Sequence, residues 1–388
     1  MHERQTPQAT VPVDREMSPF RSSCAVAGQW REAVGACVKQ LAPIPPDANL
    51  GFVFATDAFA DSLDAMVEAL RRQTGVAHWV GTVGLGICGN GGEYYDQPAV
   101  SILVGAVPQD GFRVFGAVRE DFGPFTQAHA AWIEKSGSRF AIVHGDPRNE
   151  RLPELVARLA AEIHDGFIVG GLTSSRSAYP QVAGAVATGG LSGVMFAPEV
   201  PVATTLTQGC APFGTVHEIT GCDRNMLMGL DGRPALDVFF DEIGDVLARD
   251  LERAAHLIGA ALPIKGSDRR DYLVRNLVGA DRERKLLAIG ELVEHGQPIQ
   301  FCRRDPASAE RDMRSMLGEL KGRLSRPPRG GIYYSCVGRG RNLFGPESRE
   351  MAIIRDELGD LPFAGFFCNG EISANRLYGY TGVLTVFL

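Results

Sequence analysis

The sequence predicts an α/β protein in which a repeated strand-helix-strand-turn-strand unit forms mixed sheets in two related domains. Two observations carry this. An apolar run, a glycine-rich turn bearing small polar residues and a second apolar run recur at three places along the chain. Upstream of each copy lie a short β-rich run and a helix-compatible segment, and so large a spacing argues for one supersecondary unit used several times, not for a solenoid.

Taken in order, residues 1–22 are polar, aperiodic and contain three prolines, which reads as a disordered N-terminal arm. A helix over 29–41 should end before Pro43 and the Pro45-Pro46 pair. A strand over 50–55 then precedes a helix in which Leu63, Met66, Val67 and Leu70 fall at helical spacing, with Asp61 or Ser62 as N-cap. The first copy follows: a strand over 78–84, a turn through Cys88-Gly89-Asn90-Gly91-Gly92-Glu93, and a strand over 99–104. A strand over 139–143 leads into the second copy, with apolar residues 167–172, the turn Thr173-Ser174-Ser175 and the apolar stretch 182–196.

Residues 204–220 read as two strands around a bend at Gly209 and Pro212, because β-branched residues flank both. Asp231-Gly232 marks a tight turn, and a domain boundary is placed after Arg233, giving an N-terminal domain over 23–233 and a C-terminal domain over 234–388. A helix is expected from 235 through about 258, apolar runs at 272–278 and 286–292, and a charged helix over 307–324 closed by Pro327-Pro328. The third copy has a strand over 331–337, the run 363–367, the turn Cys368-Asn369-Gly370-Glu371 and a final strand over 380–388.

Composition bounds the function. With 388 residues, 45% hydrophobic and 22% charged, the chain can bury a large core. Against 39 basic residues stand 46 acidic ones, a net charge of -7 that offers no footprint for a nucleic-acid backbone. No apolar stretch is long enough to insert in a membrane, and residues 1–7 lack a signal core, so the expectation is a cytoplasmic protein. The eight cysteines lack the close pairing of a zinc ribbon or a disulfide scaffold.

The glycine turns are the first candidates for ligand contact, since glycine lets backbone N–H groups approach a ligand closely. In order of preference these are Cys368, Asn369, Gly370 and Glu371, then Thr173, Ser174 and Ser175, then Cys88, Gly89 and Asn90. The same glycines equally serve as tight turns. Glu371 stands in an apolar neighbourhood and needs a partner if buried: Arg341 or Arg376 as a structural partner, or an amine on a ligand. Cys368 or Cys88 on a tight turn would be a nucleophile if a histidine lowered its pKa, and no general base stands at a recognisable spacing. Gly84-Leu85-Gly86-Ile87-Cys88-Gly89 fits Gly-x-Gly-x-x-Gly, but more turn residues replace the helix that a dinucleotide site requires.

Several of these segments resemble the FIST family, whose members carry FIST N and FIST C domains in tandem. They are Gly51-Phe52-Val53-Phe54, the turn after Gly81, Gly170-Gly171, Leu230-Asp231-Gly232-Arg233-Pro234-Ala235 and Gly365-Phe366-Phe367-Cys368-Asn369-Gly370-Glu371-Ile372. The resemblance implies a non-enzymatic sensory module for a small ligand. With no F-box or output domain in the sequence, the expectation is a stand-alone sensor, similar to the bacterial nitric-oxide-sensing members that bind haem and regulate a separate histidine kinase or cyclic-di-GMP enzyme. Haem is thereby implied as a cofactor, and His144, His217 and His78 are the candidate iron ligands. No Cys-x-x-Cys-His or Cys-Pro motif supports it locally. Two other classes stand beside the sensor: an enzyme using a turn cysteine, and a scaffold indifferent to small molecules.

Overall fold

The computed structural model describes residues 20–264 and 272–388. The repeated unit is present three times, and it is longer than the sequence pattern shows. The first repeat comprises β1 (Phe20–Val26), α1 (Trp30–Leu41), β2 (Leu50–Thr56), α2 (Leu63–Thr74), β3 (His78–Gly84), the hairpin β4 (Gly86–Gly89) and β5 (Gly92–Tyr95), and β6 (Ala99–Gly105). The second runs β7 (Phe112–Val118), α3 (Gly123–Ser136), β8 (Phe140–Gly145), α4 (Leu152–Glu162), β9 (Phe167–Leu172), the hairpin β10 (Gln181–Ala183) and β11 (Ala185–Ala187), and β12 (Leu191–Phe196).

The third repeat opens with β13 (Val202–Gln208) and is then interrupted by β14 (Cys210–Asp223), β15 (Met226–Leu230), β16 (Arg233–Pro234), α5 (Ala235–Ala248), α6 (Leu251–Leu257), β17 (Ile258–Pro263), β18 (Tyr272–Asp281), β19 (Leu286–Ile289) and β20 (Pro298–Arg304). It resumes with α7 (Pro306–Arg323), β21 (Gly330–Cys336), the short α8 (Arg341–Phe344), α9 (Arg349–Leu358), β22 (Phe363–Cys368), the hairpin β23 (Glu371–Ala374) and β24 (Arg376–Tyr378), and β25 (Thr381–Phe387). Residues 233 and 234, where the sequence reading divides the chain, form β16 of the inserted seven-stranded sheet.

Three six-stranded sheets share one order: β1-β6-β2-β3-β10-β11, β7-β12-β8-β9-β23-β24 and β13-β25-β21-β22-β4-β5. Each hairpin thus completes the sheet of another repeat: the first repeat's joins the third, the second's joins the first and the third's joins the second. In each sheet the two strands around the crossover helix are parallel, β2 with β3, β8 with β9 and β21 with β22. The inner faces meet in one central cluster containing Phe52, Phe54, Ile142, Val169, Ile332, Tyr334 and Phe366. Alternate residues face outward, so Val53 packs with α1 and α2, Val143 with α4, and Tyr333 with α7 and α9.

Three glycines show why the repeats superimpose chemically. A Cβ on Gly81 would lie 1.8 Å from the carbonyl oxygen of Val53, one on Gly170 1.8 Å from that of Val143, and one on Gly365 2.1 Å from that of Tyr333. These are register partners in each parallel pair. Phe54, His144 and Tyr334 occupy matching places in β2, β8 and β21, and their rings touch pairwise at centroid distances of 5.6, 6.2 and 5.8 Å. Pairwise contact among three equivalent positions is what a threefold arrangement requires.

Several expectations need correction. Phe20 to Ser22 begin β1 against β6 and so depart from the expected arm, whose remaining residues lie outside those described. Neither Asp61 nor Ser62 caps α2 through its side chain; a 3-10 turn over Asp57–Ser62 leads into it. The helix expected over 235–258 is two helices: α5 kinks within its length at Gly244, where φ is 75°, and ends at Ala248, and Asp250 caps α6 through the Arg253 amide at 3.0 Å. The stretch 182–196 holds three strands, broken at Gly184 and Gly189, both with positive φ.

Candidate functional site

The turn after β22 separates its residues by exposure. Cys368 and Glu371 are fully buried, whereas Asn369 is exposed and Gly370 half-buried. Glu371 starts β23 and pairs in register with Gly171 of β9. A Cβ at Gly171 would come within 2.8 Å of the Cys368 Cβ, so glycine there admits the cysteine. Cys368 Sγ donates to the Ser335 carbonyl at 3.3 Å and lies 3.2 Å from Glu371 Oε1. The other carboxyl oxygen accepts from the Thr381 amide at 3.0 Å and its hydroxyl at 2.7 Å. Burial pushes the Glu371 carboxyl up to about 7, against the lowering effect of the Thr381 and Cys368 bonds. Neither arginine named from sequence pairs with it: Arg341 binds Asp96, and Arg376 faces a groove.

The second turn is sewn to both others. Thr173 Oγ1 and Thr82 Oγ1 are 2.7 Å apart, and Thr82 donates onward to the Pro180 carbonyl at 2.8 Å. Ser174 accepts from the Leu85 amide at 2.8 Å and donates to the Phe367 carbonyl at 2.5 Å. The Asn369 amide donates to the Leu172 carbonyl and the Leu172 amide to the Gly370 carbonyl, both at 2.9 Å. Thr173 and Ser174 are therefore buried seam residues with no open face. Ser175 accepts from the Ser177 amide at 3.0 Å in a local turn.

The first turn contributes to neither place. Cys88 and Gly89 pair with Gly365 and Ala364 of β22 and are buried. Asn90 is exposed, accepts from Ser22 Oγ at 2.6 Å and borders a separate cleft of about 440 Å³ with Arg355. The thiols of Cys88 and Cys368 are pushed well up by burial, so neither presents a thiolate to solvent.

The open site is a groove of about 680 Å³ between the inserted sheet and the third repeat. Asn369 and Gly370 form one wall with Arg376 and Tyr380, and Leu273, Arg275 and Asn276 of β18 form the other. Arg275 is neutralised by Glu291 at 2.7 Å, and Tyr380 donates its hydroxyl to Asn276. Arg376 makes no ion pair with the described residues and is exposed, so its guanidinium is the groove's free cation. Sequence reasoning missed β18 as a wall altogether, since only the inserted sheet's placement brings it there.

A buried network escaped it too. Glu350 is fully enclosed, paired with Arg339 at 2.8 Å, and accepts from Tyr333 at 2.7 Å, Ser335 at 2.9 Å and the Gly340 amide at 3.0 Å. Glu93, on the hairpin received from the first repeat, accepts from the Glu350 amide at 3.1 Å, and burial beside Glu350 pushes it up to about 7. Four of these five charged or hydroxylic residues lie irregularly spaced within 333–350 and Glu93 comes from another repeat, so no periodic signal marks them.

The three histidines differ in what they offer an iron ion. His144 is fully buried, neither ring nitrogen has a hydrogen-bond partner, and desolvation lowers it to about 3, keeping the imidazole neutral. It is nonetheless walled by Phe54, Tyr334 and Phe366, with centroids 5.6 to 5.9 Å away, which leaves no room for a haem plane in this arrangement. His217 has both nitrogens engaged, by Asp231 at 2.6 Å and Glu242 at 3.1 Å. His78 starts β3 and sits edge-on against Phe112. No cluster of three or more metal-ligating side chains occurs among the described residues.

Fold and site together define a class: an α/β protein of three hairpin-exchanging repeats, with a ligand-sized groove opened by an inserted sheet. The chain belongs to the FIST family, the FIST N domain matching residues 49–233 and the FIST C domain residues 235–374. These are sensory, ligand-binding domains of signal transduction. Among relatives, an uncharacterised protein of Mycobacterium tuberculosis is 29% identical over 384 residues, covering 95% of this chain and 96% of that one. An uncharacterised protein of Mycobacterium bovis is 28% identical over 383 residues, covering 95% of each chain. The structure of PurLQS from Thermotoga maritima aligns at 12% identity over 95% of this chain and 72% of that one, with a TM-score of only 0.23. No helix among the described residues is long and apolar enough to cross a membrane.

Proposed function

We propose that this protein is a sensor whose small ligand seats in the groove between the inserted sheet and the third repeat, and that a separate signalling partner reads the resulting change. The observation that carries this is the groove itself: Asn369 and Asn375, two exposed turn asparagines of the third repeat, face it together with an unpaired arginine, Arg376. A guanidinium beside amide side chains and an apolar wall at Leu273 and Leu377 suits a small organic carboxylate. Because the two walls belong to different sheets, a ligand bridging them favours one placement of the inserted sheet over others, which is the population shift a sensor needs. A histidine kinase or a cyclic-di-GMP enzyme is the partner class.

The test is a thermal-shift panel of amino acids, hydroxy acids and dicarboxylates on the native chain and on Arg376→Ala. A ligand at 100 times its dissociation constant adds about 2.7 kcal/mol, a readily measured shift, and Arg376→Ala should abolish it. A panel that stabilises neither protein sinks the carboxylate reading.

Haem with nitric oxide is the second reading, favoured by the unpartnered, neutral imidazole of His144. It requires the three-ring contact to open. A stoichiometric Soret band after haem addition, lost in His144→Ala and shifted by nitric oxide, would support it; a colourless protein would not.

A further inference from the structure

Cys210 and Cys302 stand at the two points where the chain crosses between the third repeat and the inserted sheet. Cys210 opens β14 one residue after β13 ends, and Cys302 lies in β20 just before α7 begins. In the antiparallel β14–β20 ladder, Cys210 faces Arg304 and Pro212 faces Cys302. The two cysteines are therefore diagonal neighbours on one face of the ladder, packed in the same buried cluster. They share a small cluster with Ala261 and Val274, covered by Tyr380.

Two guanidiniums flank the pair. Arg304 stacks over Tyr380 at 5.0 Å and donates to the Gly338 carbonyl. Arg339 Nη1 is buried without a hydrogen-bond partner, and a Cβ at Gly209 would lie 3.1 Å from it, so it points at the chain immediately before Cys210. Burial raises Cys24, Cys37, Cys88, Cys336 and Cys368. Cys210 alone is held below the ordinary thiol value, by the Cys302 hydrogen bond first and by Arg304 and Arg339 in addition. The ladder sets Arg304 directly opposite Cys210 and Arg339 points at the residue before it, so both cations stand at Cys210, which assigns the nucleophile to Cys210 and the resolving thiol to Cys302.

We propose that Cys210 and Cys302 form a reversible, hydroperoxide-responsive disulfide across the neck of the inserted sheet. The Cys210 thiolate attacks one peroxide oxygen, the O–O bond breaks, and the departing alkoxide or hydroxide takes up a proton, leaving a sulfenic acid. The Cys302 sulfur then attacks the Cys210 sulfur; the S–O bond breaks, and the released hydroxide takes the Cys302 proton as water. Two electrons pass from the sulfur pair to the peroxide. Diagonal residues in a ladder have Cα atoms about 7–8 Å apart, against about 5.5–6 Å for a disulfide, so closing the bond draws β14 and β20 together. β17 and β18 follow through their ladders, and β18 is a wall of the groove. The switch is independent of any ligand there.

The experiment uses the full, reduced chain. It is treated with hydrogen peroxide, quenched with N-ethylmaleimide under denaturing conditions and digested without reductant. The expected result is one linked peptide pair, Cys210 with Cys302, two fewer alkylated thiols out of eight, and full reversal by dithiothreitol. In Cys302→Ser, dimedone should label Cys210 as its sulfenic acid. Retention of all eight thiols, a link between another pair such as Cys24 and Cys37, or dimedone labelling away from Cys210 would overturn the proposal. The wild-type peptide map decides the matter even if the variant fails to fold.

Discussion

Replacing Glu371 with glutamine should change how stability depends on pH, by an amount the structure sets. Buried with only Thr381 and Cys368 as partners, the folded-state carboxyl is raised from an ordinary value of 4.5 to about 7. Below pH 4.5 both folded and unfolded chains hold the proton, and the group costs nothing. Between 4.5 and 7 the unfolded chain releases its proton first, so stability falls as pH rises, and above about 7 the loss levels off. At about 1.4 kcal/mol per tenfold difference in proton affinity, the full loss is about 3 kcal/mol. Glutamine keeps the shape and an oxygen for Thr381, but has no proton to lose. Denaturant unfolding of both proteins from pH 5 to pH 8 gives the comparison, and subtracting one profile from the other cancels other titrating groups such as Glu93. The variant should gain on the wild type by about 2.5 kcal/mol between those limits, part of the full loss having already occurred by pH 5. A difference that stays flat with pH would refute the reasoning, because it would mean that Glu371 is ionised throughout.

Further outcomes follow from the packing. Gly170→Ala and Gly365→Ala should each cost about 3 kcal/mol or more in denaturant unfolding, since the new methyl meets a backbone carbonyl that can move only with its strand; exposed Gly116→Ala, with open space around it, should be near neutral. Arg339→Gln should cost about 3–5 kcal/mol by leaving the Glu350 carboxylate buried without its cation, and a loss below about 1 kcal/mol would show that Tyr333, Ser335 and the Gly340 amide suffice. In the native protein at neutral pH, iodoacetamide should leave Cys88 and Cys368 unmodified over times in which the unfolded chain reacts fully, as read by peptide mass spectrometry. Rapid native labelling of either thiol would revive the enzyme reading.

The recurrence of the unit was legible in the chain because its signals are local. A short continuous apolar run at 50–55 or 363–367 marks a buried strand, the 3-4 spacing of Leu63, Met66, Val67 and Leu70 marks a helix face, and a glycine pair marks a turn, each within a few residues. The third turn was legible as special for a similar reason, since a carboxylate at Glu371 amid apolar residues is an anomaly visible on the page. Its function was not, because half of that turn faces inward. Cys368 and Glu371 are sealed while Asn369 and Gly370 face the groove, and adjacent residues of one turn reach such different surroundings only through what packs on each side.

By itself, then, the sequence determined the α/β class, the three copies of the unit and the family to which the chain belongs. Tertiary structure decided the rest: that each hairpin leaves its own repeat for the sheet of another, that Thr381 and not an arginine answers Glu371, that Arg339 and Glu350 meet in the core, and that β18 closes a groove against the third repeat. The physical reason is range. Strand period, helix spacing and turn chemistry are properties of neighbours in the chain, whereas a strand's free edge will accept any partner of matching register, and burial depends on which partner arrives.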